Sequence, residues 1–338
     1  MTGESDSRPA TLVLGLPGLV ATRVAEALIA RGESVLGVVR EGERRPCPAG
    51  VEVISADPCA IDLGLSGAGY TELCARVGRI VFSIDPVPSA GNLERAQPLR
   101  AAAELLELVR AGAGRRGVVY TSSLFVFGDA KGPLAETEFE VGQEFSTPLE
   151  EALAVAEKLV RRMQRTVPLS VVRTAPVAGD AERGQLLPVS PLSRLAERIR
   201  LSPGAIEYEF SDQPVRFETA DRLAEVVVRC WARPGDRTLH LVDRPGLTDR
   251  QLVRWLAERI GRPLAPPATG MRLRSRWRLP ETPLGRSILG VPTEFERTAA
   301  EAFCPDLLDR DPAVALEAFF PAAVRADRAN TSPPGDAS

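Results

Sequence analysis

The sequence predicts an α/β protein: a doubly wound parallel sheet with a smaller C-terminal α/β subdomain. Two observations carry this. The first is the stretch Thr11-Leu12-Val13-Leu14-Gly15-Leu16-Pro17-Gly18-Leu19-Val20-Ala21, an apolar run that ends in a G-x-x-G-x-x-A turn and leads into a helical pattern reaching Ala30. The second is the regular alternation of apolar β-type runs with amphipathic helical segments over the following 150 or so residues, the spacing of parallel strands joined by crossover helices. Composition agrees: 338 residues, 44% hydrophobic and 26% charged, are ordinary values for a large globular domain with a small appended one.

The elements follow in order. Residues 1–10 are a polar lead, expected to be disordered. After the first helix, Arg31-Gly32-Glu33 breaks the pattern and Ser34 to Arg40 reads as a second buried strand. Strand, glycine turn, helix and strand within about 30 residues form the unit that seats a dinucleotide pyrophosphate at a helix N-terminus. Gly15 permits the tight turn, Gly18 lets the backbone approach the phosphates beside Leu19, and Ala21 keeps the helix close to the sheet. Val51–Ser55 alternates as a short third strand, Leu65–Val77 is a helix, and Arg79–Ile84 a fourth strand that includes Ser83. Leu93–Arg110 is strongly amphipathic and ends at Gly112 and Gly114. Gly117–Ser123 is a fifth strand with a hydroxyl-rich tip. Thr147 caps a helix that has Pro148 at its first position and runs to about Arg165. Leu169–Arg173 is a sixth strand. Beyond residue 180 the pattern loosens: helices over 186–202, 221–231 and 248–260, strands over 208–217 and 237–242, and a Pro/Arg-rich stretch over 262–296. The expected division is therefore 11–180 for the dinucleotide-binding domain, 181–326 for an interleaved substrate subdomain, and 327–338 for a disordered tail.

Composition also excludes classes. A net charge of −3 gives no electrostatic basis for nucleic acid or a membrane surface. No apolar run nears the roughly 20 residues that span a bilayer. Five cysteines without C-x-x-C spacing read as reduced thiols of a cytoplasmic protein, not as a disulfide frame or zinc site. The single histidine, His240, sits in a strand pattern and reads as structural. It makes a His-His metal motif impossible, so no metal is expected.

Five ordered landmarks over about residues 11–261 resemble the extended short-chain dehydrogenase/reductases, the NAD-dependent epimerase/dehydratase group. They are the glycine turn; Ala56-Asp57 after the third strand; Val119 to Gly128, similar to V-x-S-S-x-x-V-Y-G; Arg173 to Gly179, similar to R-P-x-N-V-Y-G; and Phe217 to Ala224, similar to F-V-H-V-D-D-V-A. The resemblance implies a Rossmann-type fold in which Asp57 meets the adenine amine, Ser123 is the catalytic serine, and Ser83 and Arg173 line the cofactor. Val39 stands where NAD-preferring members often carry aspartate, and Arg40 follows it. A guanidinium there suits a 2′-phosphate, so NADP(H) is expected over NAD(H).

The sequence departs from the family at one place. In these enzymes a Tyr-x-x-x-Lys pair lies on the helix after the serine strand: the tyrosine moves the proton, and the lysine lowers its pKa and holds the ribose. Aligning Ala156-Glu157-Lys158-Leu159-Val160 with the family's A-A-E-x-x-V places Leu149 at the tyrosine position and Leu153 at the lysine position. The chain has three tyrosines and two lysines, and nowhere a Tyr-x-x-x-Lys. Leu149, Leu153, Ala156, Val160 and Met163 instead make one continuous apolar stripe. Three functions follow: a dinucleotide-binding homologue without conventional redox turnover; an NADP(H)-dependent reductase or epimerase of a small carbonyl or sugar-type substrate using a displaced acid such as Tyr208; or a lyase, isomerase or cyclase reusing the pocket. A small-molecule substrate or a protein partner, and a homodimer, fit each of them.

Overall fold

A computed structural model describes residues 9–83, 97–188, 190–201, 214–244, 247–262 and 294–321. The framework is a seven-stranded, wholly parallel sheet. Its first strands are β1 (Ala10–Leu14), β2 (Val35–Val39), β3 (Val51–Ser55) and β4 (Val77–Phe82). Completing it are β5 (Val118–Ser123), β6 (Leu169–Thr174) and, after three short strands elsewhere, β10 (Arg237–Leu241). The spatial order is β3-β2-β1-β4-β5-β6-β10, so the winding reverses between β1 and β4. That reversal opens a crevice at the carboxyl ends of the strands, where ligands of this architecture bind.

Burial explains the strand compositions. Every residue of β1 and β2 is buried, because helices cover both faces. Edge strand β3 is half open, and its Val53 is exposed. On one face α2 (Gly67–Arg76), α3 (Gln97–Arg110) and α4 (Pro148–Arg161) pack over Leu12, Leu36, Ile80, Tyr120 and Val171. The start of the helix expected from Leu93 lies outside the described residues. On the other face α1 (Leu19–Ile29) and α6 (Ala220–Ala232) cover Val13, Val81, Val119 and Val172. The α4 boundary matches its chemistry: Thr147 accepts from Glu150 N and the Glu150 carboxylate accepts from Thr147 N, a capping box with proline at the first turn.

The C-terminal part adds a three-stranded sheet, β8 (Gln185–Leu186), β7 (Val177–Asp180) and β9 (Glu218–Thr219), with α5 (Pro191–Leu201) and α7 (Asp249–Ile260). Two shorter helices follow, α8 (Thr298–Phe303) and α9 (Pro312–Phe319). Leu192, Leu195, Leu252, Leu256 and Leu316 form its separate core. Of the strand expected over 208–217, residues 208–213 lie outside the described residues. Among the described residues no helix is long and apolar enough to cross a membrane, and no cluster of ligands could hold a metal ion.

Candidate cofactor cleft and a closed catalytic position

The crevice is floored by the turn between β1 and α1. Gly15 holds φ at +122°, a conformation that a side chain resists, and Gly18 N donates to Gly15 O at 2.7 Å. Gly18 is the N-cap of α1 with extended backbone, and it has no side chain to cap the helix. The first turn carries no acidic residue. The first-turn N–H groups of Leu19, Val20 and Ala21 therefore have no side-chain cap, the arrangement that suits a pyrophosphate. Leu16, one residue into the turn, is buried; a Cβ on Gly37 of β2 would sit 2.6 Å from its Cδ1, so glycine is needed there.

At the ends of β2 and β3 stand Arg40 and Asp57. They form an ion pair, Nε to Oδ1 at 2.9 Å, and both side chains are about half exposed. Burial works against the Arg40 charge, but the Asp57 contact outweighs it and raises its pKa. Between them, the turn and this pair fit the pyrophosphate and adenosine ends of a dinucleotide.

The nicotinamide end differs. Ser123 lies at the tip of β5, half-buried, and its Oγ accepts from Phe125 N at 3.2 Å, capping the 3-10 turn of Leu124–Phe127. Leu149 and Leu153, expected at the tyrosine and lysine positions, belong to an apolar cluster with Phe125, Phe127, Phe139, Phe145 and Phe295. Leu153 is buried, as are Ala156, Val160 and Met163 farther along the stripe. The helix face that would present an acid is thus packed as core. Ser83, expected to line the cofactor, is buried, and its N–H extends the ladder to Leu14 O.

Arg173 requires a correction. It does not line the crevice but is fully buried, with its guanidinium spent inside the protein. Nη2 donates to Glu157 Oε1 at 2.8 Å, Nε spans both Glu157 oxygens at 3.1 and 3.2 Å, and Nη1 meets His240 Nε2 at 3.0 Å. Glu157 also accepts from Ser122 Oγ at 2.6 Å and from Arg161 Nε at 2.8 Å. Phe127 lies under the Arg173 guanidinium at 4.6 Å. Burial alone would raise the Glu157 pKa, but the two guanidiniums and the Ser122 hydroxyl hold it below the usual carboxylate range. Sequence reading found Glu157 as an alignment mark, Arg173 as a ligand and His240 as structural. Only the parallel register of β6 and β10, which sets Arg173 opposite His240, reveals the three as one unit.

His240 is structural, as its sequence context indicates. Its Nδ1 lies 2.8 Å from Glu296 O, and its N–H donates to Glu136 Oε1 at 2.9 Å. Glu136 also accepts from Ala299 N and Ala300 N, tying the loop after β5 to the start of α8. Burial, then Arg173, pushes the His240 pKa from 6.5 down to about 3. Its folded pKa lies below its unfolded one, so between pH 3 and 6.5 the unfolded chain binds the extra proton. His240's contribution is fully present above pH 6.5 and is lost on acidification, at up to about 1.4 kcal/mol per pH unit. Urea midpoints measured at pH 7 and pH 5 should therefore differ less in His240→Asn than in wild type. An equal difference would place the proton uptake elsewhere.

Tyr208 lies outside the described residues, as do residues 263–293 of the Pro/Arg-rich stretch. A surface cavity of about 540 Å³ lies between α1 and α6, lined by Arg23, Glu26, Ala224, Val228 and Arg229 among others. Charges in its lining are paired, Arg23 with Glu182 and Arg229 with Glu225 one turn away on α6.

Residues 36–198 match an NAD-binding family described as male sterility protein. No curated protein matches the chain in sequence. Among solved structures, UDP-glucose 4-epimerase from Thermotoga maritima, determined with UDP-glucose, aligns at 16% identity over 87% of this chain and 91% of that one, with a TM-score of 0.62. The enzyme WbmG of Bordetella bronchiseptica, in complex with NAD and UDP, aligns at 16% identity over 88% of each chain, with a TM-score of 0.61. The terminal R domain of the myxalamid biosynthetic pathway aligns at 20% identity over 70% of this chain and 67% of that one, with a TM-score of 0.60. Residues 36–198 thus match an NAD-binding family, and the chain as a whole has the Rossmann-like α/β fold of these solved structures.

Proposed function

We propose that this protein binds NADP(H) in the crevice between β1 and β4 and does not turn it over by conventional hydride transfer. The observation that carries this reading is the apolar packing of Leu149 and Leu153 among phenylalanines, where the proton-moving pair of the family would stand. When bound, the dinucleotide would supply a hydride donor or acceptor. The residues that would hold it are Gly15, Gly18 and Leu19 at the pyrophosphate, and Arg40 and Asp57 at the adenosine.

A hydride delivered to a carbonyl leaves an oxyanion that needs a donor. Ser123 Oγ is present, but a serine hydroxyl alone hydrogen-bonds the oxygen without supplying a proton of suitable acidity. The apolar wall raises the cost of an unpaired oxyanion further. Losing the lysine also removes a charge-assisted hydrogen bond to the ribose, worth about 1.5–3 kcal/mol, so affinity should fall roughly ten- to a hundredfold below that of a complete site. A cofactor-binding subunit or regulatory partner suits these properties.

Calorimetric titration with NADPH and NADH tests the binding half. NADPH should bind more tightly than NADH, and Arg40→Ala should turn that preference over to NADH. Equal wild-type affinities, or an unchanged difference in the variant, would refute the NADP(H) preference.

A further inference from the structure

The NADP(H) reading gives Arg40 alone to the 2′-phosphate, but Arg40 is not alone. Its Nε donates to Asp57 Oδ1 at 2.9 Å and its Nη2 reaches Cys59 Sγ at 3.3 Å, so the whole Nε–Nη2 edge is engaged. The same Asp57 oxygen accepts from Cys59 N at 2.9 Å. The loop behind it is fixed, with Asp57 N donating to Leu63 O at 2.9 Å and Ala60 N to Asp57 O at 3.0 Å. Arg40 retains the Nη1–Nη2 end of its fork for an incoming ligand. Its side chain is 48% exposed and that of Asp57 44%, so both meet solvent and any ligand there.

This pair sits where the two nicotinamide dinucleotides differ. An arginine at the ribose favours a 2′-phosphate, and a carboxylate favours free ribose hydroxyls, which donate to it. Here one of each occupies the ends of neighbouring strands, and together they carry no net charge. The Asp57 carboxylate repels the same phosphate dianion that the guanidinium attracts. We infer that Asp57 is a specificity-determining residue: paired with Arg40 it restrains the preference for a 2′-phosphate, and without Arg40 it becomes a determinant for the unphosphorylated ribose. The inference rests on the dinucleotide reading above but concerns the ribose end only. It also makes discrimination a balance of attraction and repulsion, not of contacts alone.

Adenosine 2′,5′-bisphosphate and 5′-AMP isolate that end, since they lack nicotinamide and need no turnover. Their affinities should be measured by calorimetry at low salt for wild type, Asp57→Asn, Arg40→Ala and the double variant. All four should fold, because both side chains are half exposed, and thermal melting verifies it. Asp57→Asn should raise the preference for the bisphosphate about tenfold, the scale of removing one like charge at a solvent-exposed contact. Arg40→Ala should invert the preference toward 5′-AMP, and the double variant should bring the ratio back toward unity.

An Asp57→Asn ratio that stays the same or falls would show that Asp57 merely orients Arg40, and would overturn the inference. Failure of wild type to bind either fragment would do the same. Titrating the same proteins with NADPH keeps the two readings apart. If NADPH does not bind while the fragment pattern holds, the cofactor reading fails and this one stands. If NADPH binds without the fragment pattern, only this one fails.

Discussion

Arg173→Met should destabilise the protein by about 3–5 kcal/mol, a large part of the total stability of an ordinary domain. Arg173 and Glu157 are both fully buried, and Glu157 also holds Ser122 and Arg161. Removing the guanidinium leaves a carboxylate in the core with one remaining cation, Arg161, which is itself partly exposed. It also strips His240 Nε2 of its partner. Glu157→Gln should cost less, because the amide keeps one acceptor oxygen for Arg173 and the Ser122 hydroxyl can turn to accept from its NH2. The double variant Glu157→Gln with Arg173→Met should be more stable than the two single losses added together, since no buried charge is left unmatched. Urea denaturation of the three variants measures this. Strict additivity would mean that the pair contributes no coupling, and that the network around Ser122 and His240 is held together by packing alone.

The second large effect is on chemistry. Wild-type protein should oxidise or reduce nucleotide sugars and simple ketones at rates at least 10²–10⁴-fold below the ordinary enzyme median of about 10 s⁻¹, the factor a positioned acid/base supplies. Leu149→Tyr with Leu153→Lys should recover trace activity at most. Leu153 is buried against Phe127, so a lysine there must find its way out of an apolar cluster to reach a ribose. The Leu153→Lys single variant should lose stability without gaining activity. Robust turnover by the double variant would show that the rest of the catalytic apparatus is intact and that only the pair is missing.

The central sheet was legible because β1 and β2 are buried on both faces and appear as unbroken apolar runs, while half-open β3 shows as the alternation of Val51–Ser55 and α4 starts where Thr147-Pro148 places it. The three-stranded sheet of β7, β8 and β9 was not, since strands of two to four residues carry no periodicity and exist only through tertiary pairing. Helices α8 and α9 are too short to announce themselves in the same way. The absence of a Tyr-x-x-x-Lys pattern could be read from residue types alone, because an absent lysine needs no geometry. Arg173 could not: its partners Glu157 and His240 come from elements 16 and 67 residues away, and burial turns an expected ligand into a core cation. The Arg40–Asp57 pair was hidden likewise, each residue having been given its own part of the cofactor while the loop after β3 brings them to 2.9 Å.

The most direct test of binding without turnover is a single fluorescence trace. NADPH is added to the purified protein, and nicotinamide emission is followed for an hour in the presence of a simple ketone. The account predicts an immediate rise in emission as the cofactor enters the crevice, then a level signal with no loss of NADPH. A rise followed by steady decay at enzyme-like rates would contradict it and show that another residue has taken over the proton transfer.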